Sequence, residues 1–155
     1  MVIQEKFLVK APIKQVWQFA IDPEQIGQCV PGCEYIEKID ERTYLTIVRA
    51  GVGPIKVRFK FTSTLTEIDE PRHIHLESKG EDTGKAGSFT QTSDIDFEEV
   101  ADRQVEISYL SNINIVGRLA TFGERIMRAQ AKKIGEEFMR SFKEKIEAKK
   151  EISSW

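Results

Sequence analysis

The last quarter of the sequence, from Gly117 to about Lys150, has an apolar residue at almost every fourth position. This spacing predicts one long helix, because residues four apart lie on the same side of an α-helix. Each step of four residues turns by about 40° around the axis. The apolar stripe therefore winds around the helix, as it would if a twisted sheet wrapped it. Its members are Phe122, Ile126, Ile134, Phe138, Phe142 and Ile146, with polar Gln130 in the one gap.

The segments before this helix alternate apolar and polar residues, which is typical of strands with one buried face. The longest, Ile55–Ile68, places Phe59, Phe61 and Leu65 on one face, opposite lysine, arginine and threonine. One apolar face per strand favours an antiparallel sheet covered on one side. The other predicted strands are Val2–Lys10, where the alternation is imperfect, Glu34–Ile39, Thr43–Ala50, Arg72–Lys79, Phe89–Phe97 and Arg103–Ile115.

Two short helices are predicted between the first and second strands. Pro12 suits the first turn of one, and Asp22 and Pro23 are the N-cap and first residue of the next. The sequence thus predicts an α+β domain over residues 1–150, with a short tail at 151–155. Six to seven antiparallel strands form a curved sheet on the long final helix. This order of elements resembles the helix-grip fold of the START/polyketide-cyclase (SRPBCC) superfamily, whose sheet and final helix enclose a cavity.

Composition excludes several functional classes. The net charge of -2 gives no basic surface for nucleic acid. No apolar run approaches the ~20 residues of a membrane span, so we expect a cytoplasmic protein. Cys29 and Cys33 are too few for a disulfide framework. They form a strained disulfide, a redox pair or, as the spacing favours, free thiols that are at least partly buried.

Small polar residues interrupt the apolar rows of the predicted inner face. Buried polar groups need partners, so they either contact a ligand, lie at a solvated rim or bond to one another. We favour a pocket for a small molecule. The interrupting residues are Ser63, Ser78, Gln91, Ser93, Ser111 and Gln130. The predicted ligand-binding residues are Phe59, Phe61, Phe89, Gln91, Ser93, Tyr109, Phe122, Ile126 and Gln130.

Catalytic and metal sites have no support in the sequence. His73 and His75 share the polar face of one strand, and no third histidine or cysteine completes a zinc site. No serine or cysteine can be paired with a histidine base. Tyr109 is the one titratable residue predicted on the inner rows. We therefore predict no catalytic residue, no metal ligand and no cofactor.

Several segments resemble the CoxG family of carbon monoxide dehydrogenase subunits, within the same superfamily. The most specific are Pro31–Glu34 and Gly51–Pro54. Others are Asp22–Glu24, Phe59–Lys60, Asp69–Pro71, Lys85–Gly87 and Val116–Ala120 with Gly123, and together the matches run from Lys6 to Phe142. Arg118 stands where the family often has a second glycine after Gly117, and residues 81–83 are less glycine-rich than usual.

The resemblance implies an accessory protein of molybdenum-containing CO dehydrogenase-type oxidoreductases, which recruits the enzyme or supplies its electron acceptor. It implies a non-catalytic carrier of a quinone or lipid, with at most peripheral contact at the inner membrane face. Two alternatives stay open. One is a cyclase- or dehydratase-like enzyme acting on a hydrophobic substrate, and the other is an interaction module whose cavity is packed shut.

The winding stripe also predicts that the long helix has two roles. The half from Leu119 to Ile134 should face the sheet and line the pocket. By Phe138, Phe142 and Ile146 the stripe has turned by more than about 90°. These residues should meet either the first strand and the short helices or another molecule.

Overall fold

The computed structural model describes residues 1–153, with side chains described through Ala148. Its strands are Val2–Val9 (β1), Cys33–Asp40 (β2), Thr43–Val52 (β3), Ile55–Asp69 (β4), His73–Asp82 (β5), Ser88–Ala101 (β6) and Gln104–Val116 (β7). Its helices are Ile13–Ala20 (α1), Pro23–Cys29 (α2), a 3-10 helix at Arg118–Phe122 and Glu124–Ser153 (α3). Residues 151–153 of the predicted tail thus continue α3, and residues 154–155 lie outside the described chain.

The seven strands form one antiparallel sheet in the order β1-β7-β6-β5-β4-β3-β2. Consecutive strands from β2 to β7 are neighbours, and β1 joins the outer edge of β7 with Val9 opposite Val105. Apolar residues of alternate positions face α3, as predicted, and we call this side the inner face. The structure confirms the predicted α+β helix-grip architecture.

The inner face carries two separate apolar clusters. The first packs α1 and the second half of α3 against β1, β6 and β7, with Trp17 meeting Phe97 edge to face at 5.3 Å. Phe142 is buried here and contacts the rings of Phe19 at 5.0 Å and Phe7 at 5.9 Å. The second half of the stripe therefore meets the first strand and a short helix, one of the two predicted surfaces.

The second cluster is smaller and lies at the other end of the sheet. It joins the ends of β3 and β4 to the 3-10 helix and the first turn of α3, and its buried members are Val52, Val57, Ala86, Leu119 and Met127. The buried carboxylate of Asp82 fixes the adjoining β5–β6 turn by accepting hydrogen bonds from the backbone N–H groups of Arg58 and Ala86, at 2.8 and 3.0 Å. These bonds hold the pKa of Asp82 below its usual value.

The predicted helix from Gly117 is interrupted. The chain forms a short 3-10 helix and then passes through Gly123 at φ 87°, a left-handed conformation that suits glycine. α3 begins only at Glu124, so its phase differs from that of a helix continuous with Phe122. As a result Met127 is buried, whereas Ile126 is 42% exposed and belongs to neither cluster. The prediction that Ile126 faces the sheet was wrong.

Candidate functional site

The inner face between the two clusters is only half covered. Its residues are half-buried, although they lie beneath the first half of α3. That helix is close by, because a Cβ added to Gly135 would lie 2.8 Å from the Tyr109 hydroxyl. We call this region the groove. Its half-buried sheet residues are Phe59, Phe61, Leu76, Phe89, Gln91, Tyr109 and Ile113, and those of α3 are Gln130, Ala131, Ile134 and Phe138.

Three phenylalanines form an aromatic wall on the sheet side of the groove. The ring of Phe89 meets Phe59 at 5.3 Å and Phe61 at 5.5 Å, in both cases edge to face. Gly80 stands between Phe61 and Phe89 in the strand register and has no side chain to separate them. The wall therefore depends on a glycine in the middle of β5.

A row of hydroxyl groups crosses the groove floor beside this wall. The hydroxyls of Ser63 and Ser78 lie 2.6 Å apart, and those of Ser93 and Ser111 lie 2.7 Å apart. Gln91 donates from Nε2 to Ser93 Oγ at 3.0 Å. Much of the polarity that the sequence analysis noticed is thus satisfied by local hydrogen bonds. The Oε1 atom of Gln91 accepts no hydrogen bond from a described residue. It is therefore free to accept one from a ligand.

Tyr109 supplies the groove with a second polar group. Burial raises the pKa of its phenol, and the carboxylates of Glu5 and Glu136 raise it further. The hydroxyl is therefore protonated at neutral pH, and it makes no hydrogen bond to a described residue. Glu5 lies directly opposite Tyr109, on the inner face of β1.

The expectation that Tyr109 is the one titratable inner residue was wrong. Glu5 was not predicted to be an inner residue, because a glutamate at a position where the pattern calls for an apolar residue makes the alternation of β1 irregular. Tyr44 also lies on the inner face, where its hydroxyl donates to the Ile21 carbonyl oxygen at 3.5 Å. Alternation along β1 already places Glu5 on the face of Ile3, Phe7 and Val9, and the β1–β7 register adds that it lies opposite Tyr109.

A cleft of about 160 Å³ lies between α3 and the end of β3, and it shares Gln130 and Ile134 with the groove. The turn after α2 forms one rim of this cleft. The polar residue in the helical stripe, Gln130, lies here and not against the sheet centre. The cleft is lined by Pro31, Gly32, Arg49, Ala50, Gly51, Gln130, Lys133, Ile134 and Glu137.

Most of the predicted ligand-binding residues come together in the groove. Phe59, Phe61, Phe89, Gln91, Ser93 and Tyr109 share the inner face of β4, β6 and β7, and Gln130 reaches the cleft. Phe122, like Phe59, packs against the second cluster, but it belongs to the 3-10 helix and not to the inner face of the sheet. Ile126 is exposed and contributes to neither.

The outer face of the sheet is polar. A shallow depression of about 500 Å³ crosses β4 to β7 there and is lined mainly by threonine, asparagine, Glu77 and Lys79. These side chains do not suit an apolar ligand. Cys29 is buried and Cys33 half-buried, and both are free thiols whose pKa is raised by burial.

His73 and His75 lie on this outer face, as predicted, each bonded to a carboxylate. His73 Nδ1 is 2.7 Å from Asp96 Oδ1, and His75 Nδ1 is 2.7 Å from Asp94 Oδ1. Across the described residues, no group of three or more histidine, cysteine, aspartate or glutamate side chains could hold a metal ion. The described helices also include none that is long and apolar enough to cross a membrane.

We expect Asp94→Asn to lower the pKa of His75. The hydrogen bond that the His75 imidazole donates to the Asp94 carboxylate is the main reason why this pKa is raised in the folded protein. Because its pKa is raised in the folded protein, protonated His75 stabilises the fold. This stabilisation is fully present below the pKa of the unfolded state, about 6.5, and is lost as the pH rises through the pKa of the folded state. NMR titration of the imidazole signals measures the shift. Glu98→Gln, on the same strand, should leave it unchanged, and an unaltered pKa in Asp94→Asn would contradict the assignment.

Comparison with known proteins gives a family and a fold. The profile of the carbon monoxide dehydrogenase CoxG family matches residues 6–147. No curated protein matches the sequence. Among solved structures, a conserved protein from Geobacillus kaustophilus superposes with a TM-score of 0.88 at 23% identity, covering 96% of each chain.

Two more distant structures share the fold. A START superfamily protein from Mycobacterium smegmatis has a TM-score of 0.74 at 9% identity, covering 95% of this chain and 97% of that one. The Zhui aromatase/cyclase from Streptomyces sp. R1128 has a TM-score of 0.72 at 11% identity, covering 95% and 93%. At these identities the likeness concerns the fold alone.

Proposed function

The chain belongs to the CoxG family of carbon monoxide dehydrogenase subunits, and on that premise we propose that it is a non-catalytic carrier of an apolar small molecule. The ligand class is a quinone or a lipid. It lies in the groove between the sheet and the first half of α3. The partner served by this carrier is a CO dehydrogenase-type molybdenum oxidoreductase, which it recruits or supplies with an electron acceptor.

One observation carries this proposal: the half-buried aromatic wall, which extends from the second cluster along the inner face of the sheet. A packed-shut interaction module would bury these rings fully, whereas Phe59, Phe61 and Phe89 all remain half-buried. Apolar walls with a few placed polar groups are typical of small-molecule sites. Gln91 and Tyr109 are the polar groups that would orient the ligand.

The ligand would have to widen the entrance as it binds. The cleft of about 160 Å³ is smaller than the roughly 300 Å³ at which ligand pockets begin. Gly117 and Gly123, at φ 90° and 87°, bracket the 3-10 helix that leads into α3. These two glycines are the positions at which the start of α3 can swing away from β3 without strain in the adjacent strands.

Titration with a decyl-substituted benzoquinone tests the carrier proposal. We expect Ile113→Trp, which fills the groove from β7, to weaken binding at least tenfold, equivalent to about 1.4 kcal/mol. Leu110→Trp adds the same bulk to the exposed outer face of β7 and should bind as the unchanged protein does. Native mass spectrometry after detergent-free purification should find a bound apolar molecule. An empty protein that binds no quinone or lipid would overturn the proposal.

The second candidate, an enzyme acting on a hydrophobic substrate, is favoured by one observation. Tyr109 and Glu5 lie opposite each other on the inner face and could supply a proton donor and a base. Such an enzyme would convert its ligand, whereas a carrier returns it unchanged. Recovery of altered ligand from the unchanged protein, but not from Tyr109→Phe, would favour the enzyme.

A further inference from the structure

The depression on the outer face of the sheet is symmetric. Its side chains form two rows that run across β4, β5, β6 and β7, one on each side of the inner-face row that contains Ser63 and Ser78. We call them the outer rows. In strand order, one consists of Thr64, Glu77, Thr92 and Asn112, and the other of Thr62, Lys79, Thr90 and Asn114.

Each strand contributes a matched pair of side chains to the outer rows. β4 and β6 give one threonine to each row, and β7 gives one asparagine to each. β5 gives Glu77 to one row and Lys79 to the other. A two-fold rotation about an axis that runs across the strands, midway between the rows, exchanges them. Two copies of the chain placed face to face by this rotation would set threonine against threonine, asparagine against asparagine, and Glu77 against Lys79 of the other copy.

Every contact made in this way is chemically complementary. Hydroxyl and amide groups both donate and accept hydrogen bonds, so they can pair with their own kind. Glu77 and Lys79 are exposed and of opposite charge, and the rotation forms their ion pair twice. Within the described part of the chain, the side chains of the outer rows have one polar contact, an approach of 3.8 Å between Glu77 Oε1 and His75 Nε2. Their hydrogen-bonding groups are therefore available to a second molecule.

The charges of β4 beyond the outer rows follow the same symmetry. Lys56 and Lys60 lie on the outer face before the rows, and Glu67 and Asp69 lie there after them. Neither lysine forms an ion pair with a residue that the structure describes. The same rotation brings the basic start of β4 over the acidic end of β4 in the other copy. A two-fold dimer makes this favourable contact twice, because both copies use the same surface.

The outer face is large enough for a stable dimer. The strands β3 to β7 each have ten residues or more. Five such strands, spaced by about 4.8 Å with a rise of about 3.4 Å per residue, cover about 800 Å². This is comparable with the area of about 800 Å² that each partner buries in an interface of standard size. The depression of about 500 Å³ gives room for Glu77 and Lys79 of the other copy, with bridging waters in the remaining space.

We infer that the chain forms a two-fold dimer with a second copy of itself through the outer rows. In this dimer β5 lies antiparallel over β5 of the other copy. The groove and α3 lie on the opposite side of each sheet, so the dimer leaves both grooves accessible. The inference therefore does not depend on the proposed ligand.

Sedimentation velocity at increasing protein concentration tests the inference. We expect the unchanged protein to pass from monomer to dimer. Lys79→Glu and Glu77→Lys should each raise the dissociation constant at least tenfold, because each variant places like charges opposite each other at two positions. Lys132→Glu changes an exposed charge of α3, on the other side of the sheet, and should dimerise as the unchanged protein does.

A mixture of the two variants tests the symmetry directly. Lys79→Glu and Glu77→Lys should each stay monomeric at a concentration at which the unchanged protein is dimeric. Combined in equal amounts, they place a glutamate opposite a lysine at both positions and should form a heterodimer. The double variant Glu77→Lys/Lys79→Glu exchanges the two charges within one chain and should form a homodimer again. A purely structural role of either residue would not produce this rescue.

Three results would overturn the inference. A protein that stays monomeric at the highest attainable concentration would exclude a second copy as the occupant of the outer face, and would leave that face to a different protein or to solvent. A dimer that Lys79→Glu does not weaken would use another surface. If the single variants lose the dimer and their mixture does not regain it, the two-fold pairing of Glu77 with Lys79 is wrong.

Discussion

Phe142→Ala is expected to lower the free energy of unfolding by about 4 kcal/mol, within the range of roughly 3–5 kcal/mol for removing a buried phenylalanine. Phe142 is 3% exposed and holds three elements together. Its ring contacts Phe19 of α1 and Phe7 of β1, and it also lies 5.8 Å from Phe138 on α3. The cavity left by alanine cannot collapse easily, because Phe19, Phe7 and Phe138 are held in α1, in β1 and in the preceding turn of α3. Chemical denaturation measures the loss.

Ile126→Ala is the matched control for this prediction. Ile126 occupies the same sequence stripe as Phe142, but the break at Gly123 leaves it exposed. Its truncation should change the free energy of unfolding by less than about 0.5 kcal/mol. Equal losses in the two variants would mean that Ile126 is buried against the sheet, as it would be in a helix continuous with Phe122.

Gly80→Ala is expected to cost about 3 kcal/mol, at the upper end of overpacking. A Cβ at Gly80 would overlap the Cβ of Phe61 and the carbonyl oxygen of Lys60 on the neighbouring strand. The backbone of β4 cannot yield as a flexible side chain would, so β5 must shift away from it. The shift would also separate Phe61 from Phe89 and disturb the aromatic wall. Thermal or chemical unfolding, together with the near-ultraviolet circular dichroism of the aromatic groups, measures both effects.

Gly51→Ala provides the comparison within the same sheet. Nothing lies within 4 Å of a Cβ added at Gly51. This substitution should therefore be neutral, or stabilise by up to about 1 kcal/mol because alanine restricts the unfolded chain. A loss at Gly51 as large as that at Gly80 would show that glycine is needed for backbone freedom and not for the space that Phe61 occupies.

The fold followed from the sequence because its signals are local and periodic. The alternation in β4, for example, continues for most of its length, so the faces of Phe59 and Phe61 could be assigned without neighbouring strands. Asp22 caps α2 as predicted, with its carboxylate accepting from Glu24 N at 3.0 Å. Such signals depend on residues a few positions apart, and sequence analysis detects them well.

The phase of α3 was missed for an equally physical reason. A stripe of period four continues through Phe122 and Ile126, and nothing in that spacing reveals a break. Gly123 was noticed, but as part of a resemblance and not as a helix boundary. A glycine after Phe122 and before the acidic Glu124 is a stop and start signal that could have placed the boundary correctly.

The cleft and the pairing of Glu5 with Tyr109 lay beyond local patterns. Glu5 faces Tyr109 across more than 100 residues, and Gly32 meets Arg49 through a turn whose approach depends on the missing Cβ. The sequence marked Pro31–Glu34 and Gly51–Pro54 as specific without giving a physical reason for either. The close approach of Gly32 to the Arg49 backbone provides that reason for the first segment, and only the tertiary structure contains it.

The division of the core into two clusters also separates ligand exchange from unfolding. The larger cluster fastens α1, β1 and the end of α3 to the sheet. The smaller one fastens the 3-10 helix and Met127, and Arg128 adds one hydrogen bond to the Val2 carbonyl oxygen. Detaching the smaller cluster exposes less apolar surface, so it costs only part of the global unfolding free energy. We therefore expect the start of α3 to lift from the sheet more easily than its end, which Phe142 and Ile146 anchor. On the proposed function, the end of α3 would stay fixed by the larger cluster, and its start, held by the smaller cluster, would move during ligand exchange.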